Sequence, residues 1–341
     1  MNHSITRSFV IIAILSIACT LPFPIKSETL KLATMAPEGS IWMQQIDALN
    51  KELTEISKGQ ITFKIYPGGI MGDDDVVLRK IRVGQLDGAL FTTNALSKLD
   101  DDIYLLTYPG VFLNDLEVDH FLQTQSEFFV SRLQSKGFEV LGIMSLGFTY
   151  AYSTFPIQDV SDMKNAKAWL WDNDQVMNAM YSKLGVAPIT VSISDVMTAL
   201  QTGLLNMVFN TPAGIVSMQW FTRVKYMLDF PLTHSFGAFI VKTPSWEKIP
   251  DDLKPVIKNL VQKYTEGITL KNRNEDEKAR TILQSRGITV QAPTPEFSAN
   301  LRSLFTEVRA DLLPPNKTDA YQTIYSVVDN FRTNSNQAIS D

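Results

Sequence analysis

The chain has 341 residues, of which 45% are hydrophobic and 20% charged, and its formal net charge is −5. This composition is ordinary for a globular protein, and the length suffices for one large or two medium domains with hydrophobic cores. The acidic balance, without a basic block or a zinc-ligand spacing, argues against a nucleic-acid-binding protein. We therefore expect no nucleic-acid partner.

The first 27 residues have the layout of an export signal. Arg7 precedes an apolar run from Phe9 to Cys19, and two prolines follow it. The run is shorter than the roughly 20 apolar residues that a membrane span needs. We predict a secretory signal peptide over residues 1–27 and an exported, periplasmic protein. A buried N-terminal helix is the alternative.

Cys19 is the only cysteine of the chain. It could be a lipidated anchor, but Ser16, three positions earlier, fits a lipoprotein cleavage site poorly, so we favour simple cleavage. The mature chain would then lack cysteine, which excludes disulfides, thiol catalysis and iron–sulfur clusters. No later segment has a continuous apolar run long enough for a transmembrane helix.

Strands and helices alternate in the first hundred residues. "ETLKLATMA" predicts a strand, residues 37–59 predict a helix that ends at Gly59, and "QITFKIY" predicts a second strand. A short helix with three aspartates in its first turn and the strand "LDGALFTT" follow. The order βαβαβ predicts a parallel sheet with helices on its faces.

The alternation continues to about residue 243. The segments "FEVLGIMSLG", "FTYAYSTFPI", "KAWLW", "APITV", "LLNMVFN" and "FGAFIVKT" predict strands. Between them we expect helices, one capped by Ser192 or Ser194 and one with Thr211 as its cap and Pro212 at its first position. After Pro250 the chain is almost wholly helical, with one helix long enough to bridge two lobes.

These elements predict an α/β fold of two lobes. We place the first lobe at residues 28–146 and about 235–275, the second at 147–234 and about 276–332, and a flexible tail at 333–341. There is no plausible nucleophile–base pair and no histidine pair at metal spacing, so we expect neither an enzyme nor a metal or other cofactor. An exported two-lobe protein without a catalytic cluster suggests a solute receptor that closes by hinge motion.

Four stretches resemble the DctP-type solute-binding proteins of tripartite ATP-independent periplasmic (TRAP) transporters. They are "LATMAPEGSIWM", "IYPGGIMGDDDVVLRKIRVGQLDGAL", "DMKNAKAWL" and the most specific, "LGVAPITVSISDVMTALQTGLLNMVFN". The resemblance covers essentially the whole mature chain. It implies two α/β lobes joined by crossing strands, a long C-terminal helix across both, and delivery of a cleft-bound small solute to membrane permease subunits driven by an ion gradient.

The sequence departs from the family where the solute's carboxylate is usually held. The arginine of the family segment "DLKGLKIRV" is Trp169 here, and a second basic residue of some sialic-acid-type members is Thr149. In the family's "D-G-x-E-N", Phe209 replaces the glutamate and Asn210 keeps the asparagine. An indole offers one N–H donor and a large apolar face but no charge, whereas an arginine pairs with a carboxylate through two charge-assisted bonds.

We therefore expect a hydrophobic or neutral solute, as the resemblance to the branch without this arginine also implies. A cationic solute ranks second because Asp172 and Asp174 lie nearby, and a carboxylate third. A carboxylate would need a relocated cation, for which Arg79, Arg82 and Arg223 are the candidates. Some receptors of that branch work with a periplasmic helical-repeat protein, and the sequence leaves open whether this chain has such a partner. A role in sensing the solute for a signalling partner is a further alternative.

Trp169 is the residue on which this interpretation depends. Residues two apart on a strand face the same way, so Trp171 should accompany Trp169 into the cleft, unless both indoles simply fill the core. His234 could be a pocket residue or a structural one. The predicted ligand-binding residues are Trp169, Trp171, Phe209, Asn210, Thr149, Phe148, Glu38, Phe91 and His234.

Overall fold

The computed structural model describes residues 27–171, 174–313 and 318–340, with the backbone alone at 318 and 335–340. Cys19, with the rest of residues 1–26, and Asp172 lie outside the described residues. Among the helices of the described part, none combines the length and the apolar character that a membrane crossing requires.

The first lobe contains the predicted βαβαβ unit. Its parallel strands are ordered β2 (Ile61–Tyr66), β1 (Glu28–Thr34) and β3 (Gly88–Thr92). Residues three or four apart on helix α1 (Ile41–Ile56) are buried against the sheet, which is why this segment is helical. The remaining helices of the lobe are α2 (Asp74–Arg82), α3 (Thr93–Ser97), a 3₁₀ helix (Asp101–Thr107) and α4 (Asp115–Ser135).

Two long strands cross from one lobe to the other. Strand β4 (Phe138–Ser153) unites the two segments that the sequence predicted as separate strands. It pairs with β9 (Thr233–Lys242) over most of its length and with β7 (Met207–Asn210) and β8 (Tyr226–Leu228) at its end. One continuous strand thus belongs to the sheets of both lobes, as expected for a two-lobe receptor fold.

In the second lobe, β7 and β8 run antiparallel to the end of β4, and short parallel pairings extend outward from them. The predicted strand "KAWLW" is shorter than expected, because only Trp169–Leu170 (β5) pairs with Ile189–Thr190 (β6). Ala168 adds an isolated parallel bridge to Met207. The other elements are 3₁₀ helices Val160–Asn165 and Trp220–Thr222, helices α5 (Gln175–Leu184), α6 (Val196–Gln201) and α7 (Pro212–Ser217), and strand β10 (Thr289–Gln291).

The predicted helix caps are partly correct. Thr211 caps α7 by accepting a hydrogen bond from the Gly214 N–H, and Pro212 occupies the first turn as predicted. The prediction for α6 was wrong, because a turn follows Ser192 and the helix begins only at Val196, with Asp195 preceding it. The Ser192 hydroxyl instead donates to the Asp195 carboxylate.

The long helix α9 (Lys254–Ser285), which follows the short α8 (Thr243–Trp246), packs against both lobes. Its residues Thr269 and Asn272 bond to the backbone of Ser145 in β4, so the helix is tied to the strand that crosses between the lobes. Two more helices end the chain, α10 (Pro295–Leu312) against α5 and α11 (Thr318–Ser340) against α4.

Candidate functional site

The carboxyl ends of parallel strands from both lobes point towards the crossing of β4 and β9. In the first lobe, Thr92 at the end of β3 pairs with Gly237 of β9. In the second, Asn210 at the end of β7 pairs with Tyr150 of β4. Open α/β sheets bind ligands at the carboxyl ends of their strands, so this crossing locates the candidate solute site.

An aromatic cluster lies beside this crossing in the second lobe. The Trp169 ring stacks on Trp171 (centroids 5.9 Å apart, planes at 27°) and on Phe209 (5.1 Å, 28°). Trp220 meets it edge-on at 5.3 Å. The sequence expectation that the two indoles lie on one side is consistent with this stacking.

The two tryptophans differ in how much of each side chain is exposed to solvent. Trp169 is 1% exposed, and its indole N–H donates to the Val191 carbonyl oxygen at 3.0 Å. Trp171 is 42% exposed. Trp169 is therefore a core residue of the cluster, whereas part of the Trp171 ring is exposed to solvent.

The side chains of Thr149 and Asn210 are engaged within the protein. The hydroxyl oxygens of Thr149 and Thr233 lie 2.8 Å apart across β4 and β9. The Asn210 side-chain oxygen accepts the N–H of Thr211 at 2.8 Å, and its Nδ2 lies 3.8 Å from the Met218 sulfur. Neither position supplies a charge, so neither replaces a carboxylate-binding cation.

His234 lies at the crossing itself and is fully buried. Its Nε2 is 2.9 Å from the Ser145 hydroxyl, and its ring contacts those of Phe112, Phe148 and Phe236 edge-on. Burial, together with the nearby positive charge of Arg273, lowers the pKa of His234 to about 3. The imidazole is therefore neutral near pH 7 and acts there as a packed, hydrogen-bonded ring.

The remaining two predicted residues lie in the first lobe and are placed differently from each other. Phe91, at the end of β3, is buried in the hydrophobic core, whereas Glu38 is exposed in the loop after β1. The structure thus brings together Trp169, Trp171 and Phe209 as one group and Phe148 and His234 as another.

The arginines considered as relocated cations are on the surface. Arg79, Arg82 and Arg223 are all exposed. Four less exposed arginines each contact carboxylates: Arg132 with Asp100 and Asp102, Arg273 with Asp115 and Asp119, Arg280 with Asp229, and Arg332 with Glu117. Their charges are largely neutralised within the protein.

One contact between the lobes escaped the sequence reasoning. The Tyr104 hydroxyl donates to Asp174 Oδ1 at 3.2 Å and accepts the Val176 N–H at 3.2 Å. Burial raises the pKa of Asp174 and that of Tyr104. The partners are 70 residues apart, and a tyrosine in a helix carries no pattern that would identify this pairing.

Comparison with known proteins identifies the family. The model of the bacterial extracellular solute-binding proteins of family 7 (DctP) matches residues 32–313, and the chain belongs to this family. It is a periplasmic solute receptor of the TRAP type and not an enzyme. Receptors of this kind bind a small ligand and work with membrane permease subunits.

Two curated relatives and one solved structure illustrate the similarity. The chain is 26% identical to the sialic acid-binding periplasmic protein SiaP of Vibrio cholerae over 298 residues, covering 84% of this chain and 90% of SiaP. It is 24% identical to the C4-dicarboxylate-binding periplasmic protein DctP of Rhodobacter capsulatus over 265 residues, covering 76% and 77%. The fold matches a TRAP periplasmic solute-binding protein from Ochrobactrum anthropi with a TM-score of 0.82 and 20% identity, covering 92% and 99%.

Proposed function

We propose that the solute of this receptor is a hydrophobic or neutral molecule, held between the lobes against Trp171 and delivered to the TRAP permease. The observation that carries the proposal is the state of Trp169, which the sequence resemblance aligns with the family's carboxylate-binding arginine. This side chain has no charge, and its one N–H is already bonded to Val191. An acid bound there would gain no ion pair.

The energetic argument concerns desolvation. A carboxylate that leaves water without a cation or a set of donors loses several kcal/mol. A neutral ring or chain loses little, and stacking on an indole contributes about 0.5–1.5 kcal/mol beyond area burial. The surroundings of Trp169 therefore favour the neutral solute.

Apolar surface at the strand ends supports the same solute class. Met35 follows β1 and is 45% exposed, and Ile70 follows β2 and is 69% exposed. Within the second lobe, an apolar cavity of about 20 Å³ lies next to Phe209 and is lined in part by Met163, Met177, Met180 and Met207. Methionine side chains are flexible and repack readily around groups of different shape, so the core beside Phe209 is both apolar and adaptable.

A carboxylate solute is the second candidate, because SiaP and DctP are named for sialic acid and C4-dicarboxylates. It requires a cation to enter the cleft, and the exposed Arg79, Arg82 or Arg223 would have to move for that. A cationic solute has less support, since Asp174 is committed to Tyr104 and to the Met177 N–H. Export by the signal peptide and a helical-repeat partner remain expectations from the sequence.

A binding titration tests the proposal. We expect the neutral fluorescent probe N-phenyl-1-naphthylamine to bind the mature protein, and galacturonate and succinate not to displace it. Trp171→Ala should weaken probe binding about tenfold, the value of one lost aromatic contact. Trp42→Ala, in α1 of the first lobe, is the matched control and should leave binding unchanged. Tight binding of either acid would contradict the proposal.

A further inference from the structure

Three segments of the chain meet at a bulge in β4. Gly147 lies at the bulge with φ of +100°, a backbone conformation that favours glycine. A Cβ atom on this residue would lie 2.7 Å from Asp276 Oδ2 of α9 and 3.6 Å from Thr211 Cγ2. The glycine thus lets the long helix and the start of α7 approach the crossing strand together.

Asp276 joins the long helix to the turn of residues 210–214, in which β7 ends and α7 begins. Its Oδ1 accepts the backbone N–H of Ala213 at 2.9 Å. The turn is itself compact, because Asn210 accepts from the Thr211 N–H and Thr211 accepts from the Gly214 N–H. Asp276 therefore bonds to a small, internally fixed unit that begins with Asn210.

The carboxyl group of Asp276 titrates close to neutral pH. Burial raises the pKa of its carboxyl group to about 6, against the lowering effects of the Ala213 N–H and of Arg280. The titratable and charged groups around it are Glu275 and Arg280 on α9, Asp115 on α4, Tyr150 and Tyr152 on β4, and Asp229 after β8. Arg280 is already paired with Asp229 at 2.8 Å.

We propose that Asp276 is a positioning residue of the solute site, and that its ionised carboxylate holds the Asn210–Gly214 turn against the long helix α9 in the binding-competent position. A hydrogen bond to an ionised acceptor is about twice as strong as a neutral one. Protonation therefore loosens the turn, and solute affinity falls as the pH drops through the titration of this group. The inference rests on the proposed function and on the ligand-binding role that the sequence predicts for Asn210, the first residue of this turn.

Nuclear magnetic resonance of the ¹⁵N-labelled mature protein tests the coupling without any solute. We expect the amide signals of Ala213 and Thr211 and the side-chain amide of Asn210 to shift together between pH 4.5 and 8, with one midpoint near 6. Asp276→Asn keeps the shape and an acceptor oxygen, and it should abolish this shared titration. Glu277→Gln, an exposed neighbour on α9, should leave the midpoint unchanged.

Two results would overturn the inference. One is a titration of Ala213 that Thr211 and Asn210 do not share, which would confine the effect to a single bond. The other is a shared titration that persists in Asp276→Asn, which would assign it to another group.

Binding of N-phenyl-1-naphthylamine at different pH values tests whether the titration of Asp276 changes solute affinity. We expect wild-type affinity to fall about fivefold between pH 7.5 and pH 5, as a bound-state pKa about one unit below the free-state value near 6 requires. Asp276→Asn should bind with the low-pH affinity at every pH, and a variant with the wild-type pH profile would contradict the positioning role. A wild-type protein that fails to bind this probe refutes the proposed solute class, and the shared titration then decides on Asp276 alone.

Discussion

The aromatic cluster around Trp169 and the polar crossing around His234 lie on the same pair of sheets but are built in opposite ways. In the cluster, the indole donor is satisfied by Val191 and ring faces provide the remaining contacts. At the crossing, Ser145, His234 and Asp276 make specific bonds in a buried setting. The first region is held together by ring contacts and leaves one indole partly exposed, and the second is bonded to the long helix that packs against both lobes.

The largest expected effect is a difference in the free energy of unfolding between variants of the two stacked tryptophans. Trp169→Ala should lower the free energy of unfolding by about 3–5 kcal/mol, since it empties a fully buried site. Trp171→Ala removes an exposed ring and should cost less than about 1 kcal/mol. Urea unfolding followed by circular dichroism measures both. Equal losses would show that Trp171 is also a core residue and would remove it from the solute site.

The contribution of His234, at the crossing of β4 and β9, to the free energy of unfolding should decrease in acid. The pKa of folded His234 is about 3, whereas an unfolded histidine titrates near 6.5, so between these values the unfolded chain binds one proton more. The contribution of His234 to stability is therefore complete above about pH 6.5 and falls as the pH decreases towards 3, by at most about 1.4 kcal/mol per pH unit.

The matched variants for this prediction are His234→Phe and His120→Gln. The first should reduce the acid slope of the unfolding free energy by about one proton, whatever its effect on stability at pH 7. His120, which stacks on Phe331 in α11, serves as the control for a less buried histidine. An unchanged slope in His234→Phe would show that another group produces the acid loss.

The smallest predicted effect concerns the contact that joins the lobes outside both regions. Tyr104→Phe removes a hydroxyl that bonds to Asp174 and to the Val176 N–H, and it should cost about 1–2 kcal/mol because buried partners lose their hydrogen bonds. Thermal unfolding gives the stability, and small-angle scattering gives the radius of gyration. Tyr66→Phe, at the end of β2, is the control. A radius and stability like those of the wild type would mean that this contact does not hold the lobes together.

The fold was largely predictable because its patterns are local. The helical pattern of residues 37–59 predicted α1, and the Thr211-Pro212 pair predicted the start of α7. The extent of β4 was not predictable, since the bulges that let one strand serve two sheets depend on pairing with β9, which is distant in sequence. Likewise, "KAWLW" has the composition of a strand, but only two of its residues find a partner.

For the candidate site, the sequence predicts which residues take part, but it could not predict their geometry. The resemblance predicts that Trp169 replaces the carboxylate-binding arginine, and the structure stacks Trp169 on Trp171 and Phe209 in one aromatic group. The sequence could not indicate that Trp169 is buried with its N–H bonded, because Val191 approaches through tertiary packing. Asp276 and Tyr104 were missed for the same reason, as each acts through a partner more than 60 residues away.

The central claim is that the solute carries no carboxylate that the cleft must neutralise. Native mass spectrometry of the mature protein, followed by denaturation and identification of the released small molecule, tests it most directly. We expect an aromatic or lipid-like neutral molecule, with a smaller bound fraction in Trp171→Ala. Recovery of a sugar acid or a dicarboxylate would contradict the claim and would require a cation to enter the cleft beside Trp171.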